Sequence, residues 1–126
     1  MAARVLIVED EQIVAADLES KLRRMGHKVV GITASGEEAV RLADQVRPEL
    51  VLMDIQLQGQ MSGIEAAKKI QRNTAAQIVF VTAYAGVFLR DPTQMQPPGM
   101  CVSKPFSQYE LQAALDAVVR KSVRNV

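Results

Sequence analysis

The sequence predicts an α/β fold, a doubly wound sheet of five βα repeats with helices on both faces. Five short apolar runs lack polar alternation, as in parallel strands covered on both sides. Between them, apolar residues recur at steps of three and four, the period of a helix. Three of these helical segments are preceded by a Ser-x-x-Glu capping box.

The first strand is expected over residues 5–8, and the first helix is marked by Val14, Leu18, Leu22 and Met25, with Gly26 as its stop. The second strand falls at 29–32. Ser35 and Glu38 then open a helix carrying Ala39, Leu42, Ala43 and Val46. Residues 50–53 form the third strand, and Ser62 and Glu65 open the helix of Ile64, Ala67 and Ile70. The fourth strand is at 78–81. The fourth helix position, 86–96, has Pro92 in its middle and Pro97 and Pro98 just beyond. A helix there is expected to be short, broken or displaced, because an interior proline costs ~3 kcal/mol. The fifth strand is at 100–102. Ser107 and Glu110 open the last helix, marked by Leu111, Leu115, Val118 and Val119.

With 126 residues, the chain reads as one domain, able to bury a core without disulfides. It is 48% hydrophobic and 23% charged, and its net charge of +1 offers no whole-surface attraction to nucleic acid or membrane. No apolar run approaches the ~20 residues of a membrane span. An acidic cluster begins at Glu9, which argues against a signal peptide. The single cysteine, Cys101, cannot close an internal disulfide and fits a reducing cytoplasm. His27 reads as a surface turn residue, and Arg120, Lys121 and Arg124 as a solvated helix end.

Ligands of open α/β sheets sit beyond the C-terminal strand ends. There the chain places Glu9, Asp10 and Glu11 after the first strand and Asp54 after the third. Thr82 ends the fourth strand, and Ser103, Lys104 and Pro105 end the fifth. Taken singly, each has a plain reading. A strand-end Asp is often a turn or cap, Thr82 a common strand terminus, and Lys104 a solvated cation. Jointly they form a site. If the first and third strands are neighbours ~4.8 Å apart, Asp10 and Asp54 crowd each other. Like charges at ~5 Å with an effective dielectric of ~20 repel by ~3 kcal/mol, and a hard divalent cation such as Mg²⁺ relieves this. A bound metal in turn implies a phosphate or phosphoryl group beside it.

The segments VLIVEDE, LVLMDIQL, IVFVTAY and CVSKPF resemble the response-regulator receiver domain of two-component signalling, in order and with the family's spacing. The resemblance covers about residues 4–121 of a single receiver domain at 1–126, and is similar also to receivers associated with sensor histidine kinases. It implies the flavodoxin-like strand order 2-1-3-4-5. It implies that Asp54 is a phosphoacceptor, taking a phosphoryl group from a phosphohistidine on a sensor histidine kinase or histidine phosphotransfer protein. Mg²⁺ would be held by Asp10, Asp54 and the main-chain carbonyl of Gln56, with Glu9 acting through water. Thr82 and Lys104 would contact phosphoryl oxygens, and a cis peptide before Pro105 would aim Lys104 inward. The receiver would be a cytoplasmic signalling phosphoacceptor rather than an enzyme. It would act on an output domain or partner outside this chain, with no direct nucleic-acid or membrane partner.

Cys101 departs from the family. It stands three residues before Lys104, where receivers carry an aromatic residue that follows the Thr inward on phosphorylation. As a free cysteine it reads as a small hydrophobe in a strand. The usual relay between Thr82 and that aromatic is therefore not available. Gln56 and Tyr84 occupy positions that vary in the family and tune aspartyl-phosphate lifetime.

Three rival readings carry different expectations. An Asp-nucleophile phosphatase needs a second Asp two residues on, and the chain has Gln56 there. A flavin carrier wraps phosphate in a hydroxyl-rich loop, which Glu9, Asp10 and Glu11 would repel. A pseudo-receiver would bind partners without chemistry, a reading that Cys101 keeps open.

Overall fold

The computed structural model describes residues 2–83 and 100–124, with side chains to Val118. Five strands form one parallel sheet in the order β2-β1-β3-β4-β5. The strands are β1 (Arg4–Val8), β2 (Lys28–Thr33), β3 (Leu50–Met53), β4 (Gln77–Thr82) and β5 (Met100–Ser103). The described helices are α1 (Gln12–Arg24), α2 (Gly36–Val46), α3 (Gly63–Asn73) and α4 (Gln108–Arg124). The doubly wound architecture and strand order are those expected. The proline-interrupted stretch at 86–96 lies outside the described residues.

The sheet separates two cores because successive strand residues point to opposite faces. Val5, Ile7, Leu52 and Val79 pack with Leu18 and Leu22 of α1 and Leu111 and Leu115 of α4. Leu6, Val8, Val51 and Phe80 pack with Ala39 and Ala43 of α2 and Ala67 and Ile70 of α3. The expectation of burial on both faces holds for the central β1, β3 and β4. It fails for β2, where Val29 and Val30 are half-buried and Ile32 is 43% exposed, and for the other edge strand β5, where Met100 is exposed and Cys101 half-buried. An apolar run does not encode its place in the sheet, and β2 and β5 lie at its edges.

All three serine N-caps form at the helix entrances. Ser35, Ser62 and Ser107 accept from the amides of Glu38, Glu65 and Glu110 at 3.2, 3.2 and 3.1 Å. At α4 the Glu110 carboxylate also accepts from the Ser107 amide at 3.3 Å, so that box is reciprocal. Such a cap contributes ~1 kcal/mol. After α1, Gly26 takes φ 90° and its amide donates to the Arg23 carbonyl at 3.0 Å. His27 is half-buried rather than a surface residue. Its Nδ1 accepts from the Ala3 amide at 3.0 Å, and burial lowers its pKa.

At the sheet end away from the carboxylates, the Arg4 guanidinium donates to the Val46 and Arg47 carbonyls, at 2.5 and 2.7 Å. These are among the acceptors that a helix C-terminus leaves unpaired. Arg47, with φ 48°, reaches across to the Asn73 carbonyl at 2.9 Å, joining the ends of α2 and α3.

Candidate functional site

The ladder of the sheet extends one residue beyond its strands and fixes the backbone of the site. The Asp54 amide donates to the Val8 carbonyl at 2.9 Å, and the Glu9 amide to the Thr33 carbonyl at 2.9 Å. Asp54 and Glu9 thus follow β3 and β1 on rigid backbone, and both are buried, at 7% and 3% exposure. From the other side, the Lys104 amide donates to the Thr82 carbonyl at 2.9 Å. Thr82 closes β4 and is fully buried. The peptide between Lys104 and Pro105 is cis.

Side chains from three strand ends then converge. The Lys104 ammonium donates to Glu9 Oε1 at 2.6 Å and to Asp54 Oδ2 at 3.3 Å. Glu9, Asp10 and Asp54 each offer a carboxylate oxygen, and these oxygens all lie within 4.8 Å of one another. Gln56 turns its amide back onto Asp54 Oδ1 at 3.2 Å, and the Glu11 amide donates to Glu9 Oε2 at 3.3 Å. Beside the cluster is an open cleft of ≈ 430 Å³ lined by Asp10, Glu11, Asp54, Gln56, Leu57, Gln58, Ala83 and Lys104.

The electrostatics follow from this crowding. Partial burial raises the Asp10 pKa above its usual 3.8, and a hydrogen bond to Glu9 and repulsion from its carboxylate add to the shift. For Lys104, burial works against the ammonium. The Glu9 hydrogen bond and the Asp54 and Glu9 charges outweigh it, and the pKa is raised. Lys104 balances part of the acid charge, yet three carboxylates face one ammonium, and hard oxygen donors at this spacing suit Mg²⁺.

The α3 entrance presses on the same spot. A Cβ added at Gly63 would lie 2.0 Å from the Asp54 carbonyl oxygen, and the Gly63 amide donates to the Ile55 carbonyl at 2.9 Å. Only a residue without a side chain lets α3 start this close to Asp54.

The family model for the response regulator receiver domain matches residues 5–116. The chain belongs to the response regulator receiver domain family. The receiver is 35% identical over 116 residues to the phyllosphere-induced regulator PhyR of Methylorubrum extorquens, covering 91% of the chain and 43% of that protein. It superposes on a mutant of the anti-anti-sigma factor PhyR from Bartonella quintana with a TM-score of 0.87 and 34% identity, covering 98% of the chain and 51% of that one. It also superposes on the receiver domain of a sensor histidine kinase from Pseudomonas aeruginosa, a structure with a magnesium ion coordinated in its active-site cleft. There the TM-score is 0.78 and the identity 29%, over 94% of this chain and 98% of that one. The chain spans about half the length of the PhyR proteins it matches.

The structure brings Asp10, Asp54, Gln56 and Lys104 of this receiver to one cleft, with Glu9 buried against the Lys104 ammonium and Thr82 buried at the end of β4. Cys101 lies on β5, on the same sheet face as Phe80. It is half-buried, packed with the α2/α3 core and opposite Phe80, and burial raises its thiol pKa. Tyr84 lies outside the described residues. Among the described residues, no helix is long and apolar enough to cross a membrane. Sequence reasoning missed Lys21, whose ammonium lies 4.9 Å from the ring centroid of Phe106, two residues past Lys104. It also passed over Glu37, whose carboxylate reaches the loop after Asp54. Both contacts join segments remote in sequence, so no local spacing signals them.

Proposed function

We propose that this receiver accepts a phosphoryl group on Asp54 from a phosphohistidine of a sensor histidine kinase or histidine phosphotransfer protein. The observation that carries the reading is the pairing of the Lys104 ammonium with both Glu9 and Asp54 inside a three-carboxylate cluster. A carboxylate oxygen of Asp54 attacks phosphorus in line. The phosphorus–nitrogen bond breaks, and its electron pair returns to the donor imidazole, which takes up a proton. Lys104 holds an ammonium beside the incoming oxygens, and Thr82 offers a hydroxyl from β4. Asp10, Asp54, the Gln56 main-chain carbonyl and, through water, Glu9 would hold Mg²⁺. That ion supplies charge neutralisation for the transferring group when bound.

Residues 1–126 are taken as one receiver domain, a cytoplasmic signalling phosphoacceptor rather than a turnover enzyme. The Bartonella relative is by name an anti-anti-sigma factor, which favours output through a protein contact over direct contact with nucleic acid. With Cys101 in the place of the aromatic switch residue, that output follows another route than the relay of Thr82 and an aromatic side chain.

Incubation with acetyl phosphate and Mg²⁺ followed by intact mass tests the reading. One phosphoryl increment is expected in the wild type and none in Asp54→Ala. An unlabelled wild type, under conditions that label a control receiver, would overturn it. Label that persists in Asp54→Ala would place the acceptor elsewhere.

A further inference from the structure

The loop between Asp54 and α3 lines the cleft through Gln56, Leu57 and Gln58, and it has two kinds of anchor. The first is Asp54 itself, whose Oδ1 accepts from the Gln56 amide at 3.2 Å. That anchor belongs to the reacting carboxylate, so a ligand on Asp54 competes for it. The second lies at the N-terminus of α2. Ser35 and Gln58 form an isolated parallel bridge. The Glu37 Oε1 accepts from the Met61 amide at 2.9 Å. Its Oε2 lies against Gly59, 2.9 Å from where a Cβ would stand, and Gly59 turns there with φ 97°. This anchor touches none of the reacting atoms.

We propose that Glu37 is a positioning residue. Its carboxylate fixes the loop from α2 and thereby holds Gln56 in place for cation binding, whatever Asp54 is bound to. The proposal rests on the receiver reading above. The carboxylate is solvent-exposed and opens onto a shallow cleft shared with Gln60 and Glu65. Its removal therefore leaves no buried polar group unpaired, and the fold tolerates the test.

Three variants separate the hydrogen bond from the charge. Glu37→Ala removes both, and Glu37→Gln keeps a carbonyl acceptor without the charge. Glu38→Ala removes a charge from the same helical turn without touching the loop. Hydrogen exchange at the Met61 amide, measured without metal, is expected to quicken threefold to tenfold in Glu37→Ala, the range one exposed hydrogen bond supports. Mg²⁺ affinity by titration calorimetry is expected to fall by a similar factor. Glu37→Gln should restore most of both, and Glu38→Ala should match the wild type. Wild-type exchange and Mg²⁺ affinity in Glu37→Ala would overturn the proposal, as would Glu37→Gln behaving like Glu37→Ala. If the wild type neither binds Mg²⁺ nor takes label, the receiver reading falls and this proposal with it. If the wild type does both and Glu37→Ala is unchanged, the positioning role alone fails.

Discussion

Asp10 is held against two other carboxylates, and its raised pKa makes the site costly to keep empty. The shift comes first from burial, then from its hydrogen bond to Glu9 and the Glu9 charge. The folded chain therefore holds the Asp10 proton more tightly than the unfolded chain does. This contribution to stability is complete below about pH 3.8 and is lost as pH rises through the higher folded value. Metal-free Asp10→Asn should melt at higher temperature than the wild type at neutral pH and should lack that part of the slope. Thermal melts from acid to neutral pH check this, and added Mg²⁺ should raise the wild-type midpoint more than the variant's. A variant that melts lower than the wild type at neutral pH would contradict it. The position of Asp54 at a strand end was legible in the sequence, because a buried-type run stops there. The partner of Lys104 was only half legible. Glu9 is 95 positions away, and nothing local says that the ammonium bonds it at 2.6 Å as well as reaching Asp54.

At the scale of elements, α3 is placed by its own first residue. Its cap, Ser62, was readable from the Ser-x-x-Glu spacing, and the bond to Glu65 is present. The close approach of Gly63 to the Asp54 carbonyl was not readable, since it depends on how α3 docks. Gly63→Ala is expected to cost about 1–3 kcal/mol, the range for overpacking a closely fitted position. It should also slow labelling of Asp54, because the backbone that must give way carries the acceptor. Urea unfolding and a phosphorylation time course check the two effects, and an unchanged unfolding midpoint would refute the packing argument. The strands show the converse. Their number and order were legible from apolar runs and the family's spacing, whereas the half-exposed β2 was not, because Val29 and Val30 look no different in sequence from residues of a central strand.

For the whole molecule, the sheet is a partition. Ile7 belongs to the core under α1 and α4, and Ile78 to the core under α2 and α3. They also stand on strands that are not neighbours. Ile7→Val and Ile78→Val should each cost about 0.5–1.5 kcal/mol. The double variant should lose their sum to within ~0.5 kcal/mol, as distant sites do. Chemical denaturation of the four proteins forms the cycle, and a larger coupling would mean that the two halves communicate through the sheet. Lys104 instead ties strands together along the edge of that partition, at their C-terminal ends. It is stitched by its backbone to Thr82 at the seam between β4 and β5, while its side chain grips β1 and β3 carboxylate neighbours. A change of grip at one end of this rivet must load the other, so an outer margin of the sheet can register events at its centre without any bulky group turning over.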